Sequence, residues 1–285
     1  MEGTCRLYDV KTDLQKSHII PKFAFDYMKK TGGRFLRGYE NLDKRIQDGP
    51  KKHLLSSKAE QEFSRRERWF ANKIFFPYLN ENKQEFIYDE NFAYFTISVL
   101  WRVLLDQLEH PTISNPKLDF LNDVQEEWKG FLANSIYPIN YDNINVMLTD
   151  RIISQTPKQR NSDLYMSRVI DATIITNDDC STVAVYVKFL RFIFWSVVKG
   201  NPTNGKNIKL NFSKSKLTLP QSITDGFFGG FIYNRIKEID AKSKISDSQQ
   251  QKIVDEIVKN ELDFFNSDAA KAMLNDYKLN NKNIG

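Results

Sequence analysis

Apolar positions recur along this chain in two rhythms, and each predicts a different element. Between residues 58 and 79, Ala59, Phe63, Trp69, Phe70, Ile74 and Phe75 return at roughly helical spacing among charged residues, so an amphipathic helix is expected, ended by Pro77. Asn91 is placed to cap a second helix from Phe92 to about Glu109, apolar on nearly every side and therefore a core element. A third spans 116 to 134, with Leu118, Phe120, Leu121, Val124, Trp128 and Phe131 turned inward. Short β-branched runs at 143–148 and 172–176 predict strands, and Asn177-Asp178-Asp179 a turn. Residues 182–187 read as a strand leading into a buried helix that ends near Lys199, and 207–212 as a further short strand. Helices follow over 221–241, weakened at Gly229-Gly230, over 249–260 after Ser246, and from Ser267 or Asp268 to about Tyr277, before a frayed tail.

Residues 1 to about 60 carry no long periodicity. Thr31-Gly32-Gly33, Arg37-Gly38 and Asp48-Gly49-Pro50 punctuate short segments, as in a small loop-rich module. The expected fold class is α+β: a small N-terminal module over 1–80, then a larger, mainly helical part with a few strands over 90–285. The boundary falls between about 80 and 90.

At 285 residues and 41% hydrophobic, the chain can bury a substantial core and is not a disordered protein. Its net charge of +5 is unevenly placed: residues 1–75 hold 17 Lys/Arg against 10 Asp/Glu, and the remainder 24 against 26. A basic N-terminal part concentrates polyanions, so nucleic acid is an expected partner, although solvated surface accounts for the same charge. Two cysteines, Cys5 and Cys180, are too few for a disulfide framework, and Met1-Glu2-Gly3-Thr4 begins no secretory leader. The expected location is cytoplasmic. The most apolar run, 183–198, carries Lys188 and Arg191, which argues against a membrane span.

Ser17-His18-Ile19-Ile20-Pro21-Lys22 sets a histidine in a β-branched run closed by proline. An imidazole that ordinarily titrates near 6.5 can take a proton from water near neutral pH, and it can equally be a hydrogen-bonded structural residue. Cys5-Arg6-Leu7-Tyr8, this segment, Leu54-Leu55-Ser56-Ser57-Lys58-Ala59-Glu60 and Phe63-Ser64-Arg65-Arg66-Glu67 together resemble HNH-type (His-Me finger, treble-clef) nuclease modules. The likeness is to a group of bacterial proteins with two Cys-x-x-Cys knuckles around Ser-His-Ile-Ile-Pro-Lys. It covers about the first 75 residues; Trp101-Arg102, Glu126-Glu127-Trp128 and Val187-Lys188-Phe189 are similar to the C-terminal part of the same group.

In such modules four thiolates hold one structural zinc ion. The corresponding positions here are Cys5, Tyr8, Ser56 and Ala59, so no structural zinc is expected. The resemblance implies that His18 activates water while a divalent metal polarises the phosphate. Glu60, Ser64 and Glu67 share one helix face, which makes Glu60 and Glu67 the candidate ligands for Mg²⁺ or Mn²⁺, or alternatively members of surface pairs with arginines. Glu60 stands where the family has Asn or His, and Asn41 is a loose candidate for the middle asparagine. Lys22, Arg34, Arg37, Lys44, Arg45, Lys51 and Lys52 are candidates for gripping a phosphate backbone. The expected function is metal-dependent endonuclease activity with His18 as general base, in a bacterial defence setting. The alternative is a decayed module that binds nucleic acid or a protein partner within a larger assembly.

Overall fold

A computed structural model describes residues 1–32, 36–37, 45–110, 115–139, 143–155, 159–242 and 246–281. The fold is α+β. The chain opens with an antiparallel hairpin of β1 (Glu2–Thr4) and β2 (Lys11–Asp13), whose turn is tied by Cys5 N–H to Val10 O and Asp9 N–H to Cys5 O, both 2.9 Å. After β3 (Gln15–His18) come α1 (Lys22–Lys30), β4 (Leu36–Arg37), β5 (Arg45–Ile46) and β6 (Lys51–Leu55). β3 pairs antiparallel with β6, which sets His18 opposite Lys51, and β4 pairs with β5.

Ser56 caps α2 (Ser57–Phe70) by accepting the Ala59 N–H. This helix does not stop at Pro77. It runs through a π-helical turn, Ala71–Phe75, into α3 (Phe76–Glu81), where Pro77 occupies the first turn. A proline is tolerated there because its missing N–H would have had no partner in a newly started helix.

β7 (Glu85–Tyr88) leads to α4 (Glu90–Leu108), capped by Asp89 rather than Asn91: Asp89 Oδ1 accepts the Asn91 N–H at 3.0 Å. Phe92 to Leu105 of α4 are buried on almost every side. There follow α5 (Leu121–Asn134), β8 (Ile144–Leu148), α6 (Ser162–Arg168), β9 (Ile170–Thr176), β10 (Val183–Phe189) and β11 (Phe192–Lys199). The last four strands form an antiparallel sheet in the order β8-β11-β10-β9. Residues 192–199 therefore form the second strand of a hairpin, with 190–191 as its turn, and not the expected helix. Both faces of this sheet are covered, so β10 and β11 are apolar at successive positions and lose the period-two signal that marks a half-exposed strand. Val185, Val187, Phe192 and Phe194 face α4, while Tyr186, Ile193, Trp195 and Val197 face the opposite layer.

That layer is α7 (Gly226–Lys242), reached through β12 (Gly205–Lys206), β13 (Ser215–Thr218) and β14 (Ser222–Ile223). Phe228 of α7 stacks on Trp195 at 4.3 Å. β13 pairs with β7 and β12 with β14; within 207–212 there is no strand, and Lys209 bridges Asn145. The chain ends in α8 (Asp247–Lys259), α9 (Glu261–Asn266) and α10 (Asp268–Asn281), the last packed on α6. Asp276 of α10 accepts the N–H groups of Asp163 and Leu164 at the start of α6.

One continuous core runs from Cys5 to Leu217. Its centre is aromatic: Phe70 of α2 stacks on Phe95 of α4 at 4.1 Å, and Phe23 of α1 meets Phe189 of β10 edge-on at 6.0 Å. Each fully buried phenylalanine contributes roughly 2–3 kcal/mol of transfer free energy, and this cluster joins the N-terminal elements to the sheet. Lys188 of β10 is fully buried. Its Nζ donates to the carbonyls of Val169 (3.0 Å) and Leu190 (2.5 Å) and lies 5.1 Å from the Tyr165 ring centre. Among the described residues no helix is long and apolar enough to cross a membrane.

Candidate functional site

His18 closes β3, where strand alternation turns Ser17 inward and leaves the imidazole on the other side, 18% exposed. Its Nε2 lies 3.0 Å from Asp48 Oδ2, and the same oxygen meets Lys51 Nζ at 2.6 Å. Asp48 sits in the turn before β6, where its Oδ1 also accepts the Gly49 N–H. Burial pushes the Asp48 carboxyl up, but hydrogen bonds from Lys51, His18 and the Gly49 amide outweigh it and hold the group well below the usual carboxylate range. Asp48 is therefore an anion across the working pH range, fixed between a histidine and a lysine. Nδ1 of His18 has no hydrogen-bond partner among the described residues.

Behind His18 stands Arg102, delivered by α4 and 1% exposed. Nη1 donates to the His18 carbonyl at 2.8 Å, Nη2 to Glu67 Oε1 at 2.7 Å, and Nε to the Ser98 carbonyl at 3.1 Å. The guanidinium carbon lies 5.3 Å from the Phe63 ring centre. Glu67, a candidate metal ligand by sequence, is thus the counter-ion of a buried arginine. Glu60 is half-buried on α2 and joins no ion pair among the described residues. No group of three His, Cys, Asp or Glu side chains that could hold a metal occurs among the described residues.

The four knuckle positions lie around the start of α2. Cys5 Sγ is 3.4 Å from Ser56 Oγ and accepts the Ser56 N–H at 3.2 Å. Burial pushes the Cys5 thiol up, yet hydrogen bonds with the Ser56 side chain and the amides of Ser56, Tyr8 and Leu7 bring it below its ordinary value. Tyr8 lies under Lys58, with Nζ 4.8 Å from the ring centre, and Ala59 is fully buried. Arg6 N–H donates to Leu54 O at 2.9 Å, a direct backbone tie between the two knuckle segments.

Several of the expected phosphate-gripping side chains already hold carboxylates. Lys22 pairs with Asp26 at 2.5 Å, Lys51 with Asp48, and Lys52 with both Asp106 (2.8 Å) and Glu109 (2.7 Å). Burial works against charge on Lys52, but the two carboxylates raise it above its ordinary range, so it stays cationic. Arg45 lines a cleft of about 1260 Å³ between α1 and the α8–α10 arm, apart from His18. Arg34, Lys44 and Asn41, and the side chain of Arg37, lie outside the described residues.

Sequence reasoning missed Asp48 and Arg102. Asp48 reads as a turn former, because Asp-Gly-Pro predicts a turn whatever the carboxylate does next. Arg102 had a signal: one cation inside the run Val99-Leu100-Trp101-Arg102-Val103-Leu104-Leu105 must find a buried partner. No family model, curated protein or solved structure matches the chain.

Proposed function

We propose that this chain is an HNH-type nuclease-like protein that hydrolyses phosphodiester bonds in nucleic acid, with His18 as the general base, working in the cytoplasm. The observation that carries the reading is the His18–Asp48 pair at the end of β3. An anionic Asp48 accepts from Nε2, which keeps the ring proton on that nitrogen and leaves the lone pair on Nδ1 to take a proton from water. Lys51, Lys52, Lys22 and Arg45, with Arg34, Arg37 and Lys44, are the side chains proposed to hold the phosphate backbone. Lys22, Lys51 and Lys52 would exchange a carboxylate for a phosphate on binding.

Glu67 is committed to Arg102, so the donor set among the described residues forms no closed cation cage. Mg²⁺ takes one or two carboxylates and completes its shell with water and substrate phosphate. Glu60 is the expected ligand still uncommitted. A bound Mg²⁺ or Mn²⁺ would polarise the phosphate.

The commitment of Glu67 and the pairing of the lysines favour a second reading, in which the module binds nucleic acid or a protein without cleaving. Plasmid DNA and RNA are incubated with the wild type, with Mg²⁺, Mn²⁺ or EDTA, beside His18→Ala. Cleavage by the wild type that falls by about 10²–10⁴-fold in His18→Ala supports the nuclease reading. Absence of cleavage across substrates and ions overturns it, and salt-sensitive nucleic-acid binding by that same inactive protein selects the second.

A further inference from the structure

We propose that Arg102 is a positioning residue for the His18 centre, fixing the strand end that carries the imidazole and the α2 carboxylate Glu67 from a third element, α4. The inference deepens the reading of His18 as the working group and rests on it for its kinetic arm.

The contacts assign each donor of the guanidinium a separate task. Nε holds the side chain to its own helix through the Ser98 carbonyl, Nη1 holds the backbone of His18, and Nη2 holds Glu67. A planar fork with donors in fixed directions ties three elements at once, whereas a lysine ammonium is a point charge on a flexible stem and has no such fixed geometry. Phe63 closes the apolar side of the guanidinium. At 1% exposure the group cannot meet a substrate, so its effect on chemistry passes through His18.

His18 is anchored from two directions. Arg102 holds its carbonyl, and Asp48 holds Nε2 from the β6 side. Removing the first anchor leaves the imidazole attached to Asp48 and the strand end held only through its pairing with β6, so the ring shifts relative to anything bound in front of it. In reactions that depend on a near-attack geometry, a displacement of about 1 Å costs on the order of 10²-fold in rate. The loss is therefore expected in kcat, with KM nearly unchanged, because Arg102 makes no contact with the substrate.

Arg102→Lys tests the fork, and the double variant Arg102→Met/Glu67→Leu removes both charges together so that neither is left buried alone. Such exchanges of a buried ion pair for apolar residues commonly preserve folding. Two readouts are taken on each folded variant: cleavage kinetics, and the ¹⁵N shifts and pH titration of the His18 imidazole, resolved from His53 and His110 by His18→Ala. The expected result is a kcat loss on the order of 10²-fold with KM within about twofold, and an altered His18 titration in both variants. A folded double variant with the wild-type His18 signature overturns the proposal, whatever its activity. If the wild type cleaves nothing, the nuclease reading fails, and the imidazole signature still decides the role of Arg102.

Discussion

Replacing Lys188 by methionine removes a buried ammonium while keeping a side chain of similar length, and the structure fixes how the effect must vary with pH. Burial, helped by Arg168 and opposed by Asp171, lowers the Lys188 pKa to about 7, against an ordinary 10.5. Between those values the folded chain binds fewer protons than the unfolded one, so stability contributed by this residue rises with pH through that window. Each pH unit is worth about 1.4 kcal/mol, so at pH 6 the folded wild type carries a penalty on the order of 5 kcal/mol. Methionine abolishes that penalty and forfeits two hydrogen bonds. The Val169 carbonyl keeps the Leu190 N–H at 3.2 Å, whereas the Leu190 carbonyl loses its donor, at a cost of about 1–3 kcal/mol. Lys188→Met should therefore be more stable than wild type by about 2–4 kcal/mol at pH 6 and less stable by up to about 2 kcal/mol at pH 10. Urea unfolding followed by tryptophan fluorescence at pH 6, 8 and 10 measures the difference. A stability difference that keeps the same size and sign over this range would refute the argument.

Two further predictions concern the N-terminal elements. The triple variant Tyr8→Cys, Ser56→Cys, Ala59→Cys should join Cys5 in binding one Zn²⁺ per chain, read by metal analysis of the folded protein; a folded, zinc-free variant would remove the knuckle interpretation. Asp48, whose carboxyl is held low in the folded chain, contributes stability that is present above its ordinary pKa near 4 and lost as pH falls through the folded value. Asp48→Asn should accordingly flatten the acid limb of the Tm-against-pH curve below about pH 4, and an unchanged limb would show that the His18–Asp48–Lys51 contact stabilises nothing.

The amphipathic rhythm of α2 and the all-round apolar character of α4 were legible because each helix exposes a regular or a vanishing polar face. The hairpin of β10 and β11 was not. Its turn is made by Leu190 and Arg191, with Leu190 at φ 53°, and neither residue type announces a turn. Burial on both faces then erased the alternation that would have separated strand from helix. The site divides along the same line. His18 stood out through its local context, whereas Asp48 and Arg102 reach it over 30 and 84 residues of separation, and such pairings are set by packing alone. Glu67 was correctly placed on an α2 face, but local periodicity could not foresee that an arginine from α4 would meet it.

The π-helical turn between α2 and α3 has an implication for how this chain can change length. A π turn accommodates one residue more than an α turn, and here the excess lets Phe70 and Phe75, five positions apart, both enter the aromatic cluster, where Phe75 stacks on Phe192 at 5.1 Å. Deleting one residue from Ala71–Phe75 would restore α-helical winding and leave everything beyond it at nearly the same rotation relative to α2, because five π-helical steps turn the chain about as far as four α-helical ones. Tyr78, whose hydroxyl donates to the Thr149 carbonyl beside the sheet, would keep its bearing on it. A deletion within the regular winding of α2 would instead rotate everything beyond it by about 100° and reset the phase between the helix that carries Glu60 and Glu67 and the sheet. The segment therefore holds the one residue of slack in this helix, and a single-residue gap should be tolerated there better than anywhere else between Ser57 and Glu81.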